Sequence, residues 1–229
     1  MNKLNTKNII LIITYAAIIV TGIMFRQSFY MMLPLFVSVI VMALQGTANR
    51  YGYLLGSMNA LLYAFAYIQL GTYASALSAF LISFPMQMIT FLHWKSRSYE
   101  KSVVFKKMSC KLRFFAFVTF VVTCVICFTL LKTVGSLYAV LDTLSTIIGV
   151  YVTILTLFAY IEYTYLWPLN GVISILLNIQ VTMNEPSAIT YAIFSVYSLY
   201  CVILAYINAH KLYKKQKSEV LESEDWKQG

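Results

Sequence analysis

Trp167 and Asn170 stand three residues apart in a stretch, Tyr163 to Gly171, that is otherwise apolar enough to cross a bilayer. Helical spacing puts this flat indole and this amide on one face. The indole can stack on a planar ring, and the amide can both donate to and accept from the ring's edge, so the pair suits a neutral or cationic heterocycle. A polar group inside a membrane segment commonly marks a site or a pathway. The same two residues would also serve as an interfacial belt ring and a helix-to-helix hydrogen bond, and this stretch alone leaves both readings open.

Three further faces carry polar groups at mid-segment. Asn59 is followed one turn later by Tyr63, and Gln87 is followed at helical spacing by Phe91 and Trp94. Asp142, Ser145, Thr146, Gly149 and Thr153 form a stripe at i, i+3, i+4, i+7 and i+11, the pattern of a helix facing a watery path. Asp142 itself fits either a helix cap or that path. Catalysis and metal binding find no support: His93 and His210 have no ligand-spaced neighbours, and Cys124 and Cys127 share an apolar run without His or carboxylate. No cofactor is expected.

These faces must be carried by membrane helices. Of 229 residues 60% are hydrophobic and 11% charged, with a mean hydropathy of +0.76, values that exclude an ordinary soluble domain. Apolar runs at 8–25, 29–45, 51–70, 73–94, 113–131, 136–160, 164–181 and 187–209 each approach the ~20 residues that span a bilayer. The expected fold class is an all-α polytopic membrane protein of eight transmembrane helices. The first run lacks a small-residue cleavage site and reads as a retained helix. With eight spans, fifteen Lys and Arg fall on the side of the termini, among them Lys3, Arg97, Lys101, Lys215 and Lys227, against Arg26 and Lys132 on the other. That imbalance predicts a cell-membrane protein with both termini cytoplasmic, and lysines that meet anionic membrane lipids rather than nucleic acid. The acidic stretch Glu219 to Asp225 reads as a solvated, mobile end.

Sliding the chain by 112 residues superposes Tyr51, Tyr53 and Leu54 on Tyr163, Tyr165 and Leu166, Ser75 and Ala76 on Ser187 and Ala188, and Ser83 on Ser195. One extra N-terminal helix (1–28) would then precede a first three-helix repeat (29–94). A basic cytoplasmic loop with a linker helix (95–135), a second repeat (136–210) and a charged tail (211–229) would follow. A single helix between the triplets gives them the same orientation, a parallel 3+1+3 repeat about an axis along the membrane normal. Arg50 and Glu162, related by the offset, read as a structural ion pair or as interface anchors. A site between the halves would have Trp94 and Trp167 flanking a central cavity whose amides come from Asn59 and Gln87.

Residues 30–210 resemble the PnuC-type vitamin transporters, a family named for uptake of nicotinamide riboside or nicotinamide mononucleotide. Ser83 to Trp94 is similar to the family's Gln-x-x-Gly-Trp-x-x-Trp segment at Gln87 and Trp94. Leu141-Asp-Thr-Leu-Ser-Thr, with Glu162 and Trp167, resembles its Leu-Asp-Ala-x-Ser-Thr and Glu-x-Trp-x-x-Trp elements. Thr90 and Phe91 replace the family's Gly and Trp. Thr164 replaces a second Trp, and Gly171 replaces the Asn of the Trp-x-x-Trp-x-x-x-Asn box, with Asn170 one residue early.

The resemblance implies facilitated diffusion of a nucleoside-like vitamin of the nicotinamide riboside class, trapped by a cytoplasmic kinase. It also implies a homo-oligomer, a trimer. Relatives that carry a deoxynucleoside, thiamine or riboflavin supply the alternative. An intramembrane enzyme or a sensor is the rival from another class, and would need a nucleophile with its base, or an output domain. Neither is visible.

Overall fold

The computed structural model describes residues 6–96, 98–99 and 102–225. Lys3, Arg97, Lys101 and Lys227, which count towards the charge imbalance, lie outside the described residues. Eight long helical rods follow one another: α1 (Thr6–Met24), α2 (Phe29–Gly46), α3 (Tyr51–Gln69), a broken rod of α4 (Tyr73–Ser78) and α5 (Phe84–Ser96), α6 (Cys110–Thr133), α7 (Ala139–Leu157), α8 (Tyr163–Asn184) and α9 (Ile189–Asp225). Six of them are long and apolar enough to cross a membrane; α1 contributes a shorter apolar stretch, Ile9–Met24. The remaining rod, α3, carries Asn59 and Gln69 along with four tyrosines and falls short of that apolarity.

Helix ends follow local chemistry. Gly71 and Gly135 take positive φ just past α3 and α6, where a side chain would cost about 1 kcal/mol or more. Ala48 and Ala159 also adopt positive φ and turn the chain sharply from α2 into α3 and from α7 into α8. Between α4 and α5, Ala79–Ser83 form one π-helical turn. Pro85 follows at once; it has no N–H to give Leu81 and its ring crowds that carbonyl, so the regular ladder breaks here.

Packing closes a ring. α2 lies on α3, α3 on the α4–α5 rod, that rod on α7, α7 on α8, α8 on α9, and α9 back on α2. α1 packs outside against α9 and α2, and α6 outside against α7 with a touch on α4. Apolar side chains gather in two clusters, one around Leu35, Val39, Tyr191 and Val202, the other around Trp94, Val103, Tyr163 and Ile161. The space between them is where the ring holds its polar residues.

The basic loop after α5 packs into the fold: Ser98–Tyr99 and Ser102–Val103 pair as an antiparallel hairpin, and Val103, Phe105 and Met108 are buried. Gln216 on α9 clamps it, donating to Val103 O (2.9 Å) and accepting from Phe105 N (3.0 Å). One expectation needs correction: Glu219 to Asp225, read as a solvated, mobile end, belongs to α9, which runs through Asp225, and the Glu219 carboxylate accepts from the Tyr99 hydroxyl at 2.8 Å. Burial of the loop beneath α9 makes the extra helical turns worthwhile.

Candidate substrate cavity

Two adjoining lobes open inside the ring, of about 270 and 250 Å³, sharing Met42, Gln45, Tyr67, Ala79, Ser83, Gln87 and Ser174. Each is just below the ~300 Å³ at which small-molecule sites begin, and together they fall within that range. Among the described residues no Lys, Arg, Asp, Glu or His lines either lobe. Polarity comes from amides and hydroxyls, and aromatic surface from Trp167 and Tyr53 in the first lobe, Tyr63 and Tyr191 in the second and Tyr67 in both.

The π-helical turn matters to this arrangement. Ala79, Ser83 and Gln87 all face the lobes, and the wider turn between them re-aims the α5 face towards the ring axis. Gln87 Oε1 accepts from Gln45 Nε2 at 3.3 Å, and Gln45 also donates to Gly52 O at 3.3 Å. Gly56 makes room for this pair, since a Cβ there would overlap Gln87 Oε1. Asn170 reaches the first lobe from α8, and its Oδ1 is buried without a partner among the described residues. Asn59 reaches the second lobe. Its Nδ2 donates to Pro34 O (3.1 Å) and Ser38 Oγ (2.7 Å), leaving Oδ1 unpartnered among the described residues. A buried carbonyl left in that condition costs about 1–3 kcal/mol, which a ligand donor could recover.

Of the nine residues singled out in the sequence, Trp167, Asn170, Gln87 and Thr146 line the first lobe, and Asn59, Tyr63 and again Gln87 the second. Ser145, Thr146, Gly149 and Thr153 of the α7 stripe do the same. The others are elsewhere. Trp94 is fully buried in the second apolar cluster, its Nε1 donating to Thr156 O at 2.9 Å, its ring edge-on to Tyr53 at 4.8 Å. Phe91 packs on that cluster and against Tyr51 at 5.8 Å. Trp94 and Phe91 therefore line neither lobe; the α5 helix turns that side to the core.

Asp142 is also withdrawn from the cavity. It is wholly buried and accepts from Ala74 N (3.1 Å), Ser75 N (3.2 Å), the Ser75 hydroxyl and Thr146 Oγ1 (3.4 Å), so it caps the start of the neighbouring α4–α5 rod. Its charge fastens two helices instead of meeting a substrate. Glu162 does form an ion pair, but with Arg113 at 2.8 Å and not with Arg50, whose guanidinium lies over the Tyr51 ring. Gln45, Tyr67, Ser75 and Ser174 were missed, because isolated amides, hydroxyls and tyrosines on apolar helices have no spacing that separates a lobe from a helix contact.

The nicotinamide mononucleotide transporter family model matches residues 28–207. The chain belongs to that family. In structure it is similar to a solved protein described as the vitamin B3 transporter PnuC, with a TM-score of 0.78 over 94% of this chain and 95% of that one, at 18% identity. Identity that low speaks for the fold alone. No curated protein matches the sequence. The chain is a membrane transporter by family, and its ring of helices is one that a vitamin B3 transporter also uses. Gly171 is buried, and a Cβ there would come within 2.9 Å of Leu199 Cδ1. Any longer side chain at 171 would need Leu199 to move, and the amide of this stretch, Asn170, lines the first lobe.

Proposed function

We propose that this transporter carries a nucleoside-like vitamin of the nicotinamide riboside class by facilitated diffusion through the double lobe, and that a cytoplasmic kinase traps it. The observation that carries this reading is Asn170 Oδ1, an unspent buried acceptor in a cavity that also holds the Trp167 ring and the Gln45–Gln87 pair. A planar ring stacks on the indole while its amide or amino edge meets the carbonyl. The sugar hydroxyls have Ser83, Ser145 and Ser174 within the same lobe. A phosphate has no cation to meet there, which favours the nucleoside over the mononucleotide.

We read the ring as two three-helix units, 29–94 and 136–210, with the lobes between them. Two features support this: α3 and α8 begin at Tyr51 and Tyr163, 112 residues apart, and each follows a left-handed alanine. The charge imbalance supports cytoplasmic termini, and the family resemblance supports a trimer. The decisive experiment measures equilibrium binding of nicotinamide riboside, its mononucleotide, thymidine, thiamine and riboflavin, alongside flux into liposomes. Nicotinamide riboside should bind best and equilibrate without accumulating unless a kinase and ATP are enclosed. Tighter binding of thymidine, thiamine or riboflavin would move the substrate to that class, and accumulation driven by a proton or sodium gradient would refute facilitated diffusion.

A further inference from the structure

A third cavity lies outside the ring, in the seam where α6 leans on α7 without closing over α8. It holds about 410 Å³ and is walled by Phe117, Phe120, Ile148, Leu155, Leu166 and Leu169. The two tyrosines in its lining have occupied hydroxyls: Tyr151 donates to Thr119 Oγ1 at 2.7 Å, and Tyr165 meets His210 Nε2 at 3.0 Å. Among the described residues the charged groups of the lining are Arg113 and Glu162, which join Met108 at the mouth. From Arg113 to Phe120 the groove follows α6 for about 10 Å at the ~1.5 Å helical rise. That is about two thirds of the ~15 Å hydrocarbon depth of one leaflet. Walls with no free polar group suit an acyl chain and nothing with a sugar.

The mouth selects the other end of the ligand. Arg113 spends one nitrogen on Glu162, yet its side chain remains 53% exposed. Glu162 is itself held by Met108 N at 3.1 Å, so the guanidinium is fixed in position with its remaining donors outward. Lys106, two residues before Met108 in the same extended segment, is exposed, with its ammonium over the Tyr160 ring at 4.6 Å. Lys106 is not part of the lining, but its backbone pairs with Ile161, the residue before Glu162, so this end of the seam has two cations to one carboxylate. A guanidinium favours a phosphate diester by paired hydrogen bonds, and the spare charge discriminates against a headgroup with its own ammonium.

We infer that the α6–α7–α8 seam is a binding site for one anionic phospholipid, acyl chain along Phe117 and Leu169 and phosphate on Arg113 and Lys106. Because α6 leans mainly on α7 with a touch on α4 among the described residues, the lipid completes the seam and braces this helix against the ring. The site is independent of what the transporter carries.

Native mass spectrometry of the full chain, released from bilayers of equal dioleoylphosphatidylglycerol and dioleoylphosphatidylcholine, tests this. The phosphatidylglycerol should be retained preferentially. Arg113→Gln should reduce that preference about fivefold, the worth of one basic side chain at a lipid surface. Lys106→Gln, which leaves the Glu162 pair intact, should reduce it by a similar factor and so separates charge from folding. Ala116→Phe, which fills the groove, should cut retention of both lipids about tenfold or more by excluding several methylenes. Unchanged preference in both charge variants would overturn the headgroup assignment. Loss of an oligomer with unchanged lipid retention in Ala116→Phe would instead give the seam to a second copy of the chain.

Discussion

Trp94 and Trp167 sit in regions of similar composition, each an indole among tyrosines, phenylalanines and threonines on two adjoining helices. Around Trp94 the polar work is done inside the protein: the indole N–H is taken by Thr156 O, Thr90 bonds Met86 O, and His93 bonds Leu157 O. Around Trp167 it is left unfinished, with Asn170 Oδ1 of the same lobe buried and unpartnered among the described residues. The difference separates a plug from a site. An indole whose own N–H is spent inside the core is packing, and an indole on a cavity wall beside an unspent amide carbonyl is a place for a ligand to supply the missing partner.

The sharpest test removes the plug. Trp94→Ala should destabilise the protein by about 3–5 kcal/mol, as loss of a buried Trp generally does. Thermal unfolding in detergent checks it, and a small shift would mean that Trp94 is not buried as described. In the cavity the balance should reverse. Trp167→Ala and Gln87→Ala should each weaken substrate binding about tenfold or more, ~1.4 kcal/mol or greater, with a smaller loss of stability than Trp94→Ala. Calorimetric titration with nicotinamide riboside reads this, and parent-like affinity in both variants would put the site elsewhere.

Asp142 sharpens the comparison from a third position, since it is buried near the cavity but spent on Ala74, Ser75 and Thr146. Asp142→Asn should cost stability of about 1–2 kcal/mol, the range of a lost cap, while substrate affinity changes less than it does in Trp167→Ala. A variant with normal melting and lost binding would return Asp142 to the pathway. The smallest effect belongs to Lys215→Ala on the exposed part of α9, for which the same titration should find no change in affinity. A clear loss there would tie the Gln216 clamp to the cavity.

Much was legible before the fold was known. Segments at 29–45, 51–70 and 164–181 correspond to α2, α3 and α8 within a few residues, because a helix that meets lipid must be apolar along its whole length. The α7 stripe was readable for a related reason: Ser145, Thr146, Gly149 and Thr153 recur at helical spacing, and a polar face that long needs a polar space to look into. Gln45 was not readable. It is a single amide in α2, and its role comes from Gln87, 42 residues away.

The sequence by itself determined the helices, the membrane setting and the family, since hydropathy and motif spacing are properties of neighbouring residues. Only the tertiary structure decided which polar atoms are still available. Trp94 and Trp167 differ through Thr156 and Asn170, Asp142 is claimed by the start of a helix 67 residues earlier, and Asn59 gives its N–H groups to α2 while keeping its carbonyl. Hydrogen bonds are short and directional, so whether a buried group is spent or free depends on partners that only the folded ring brings within 3 Å or so.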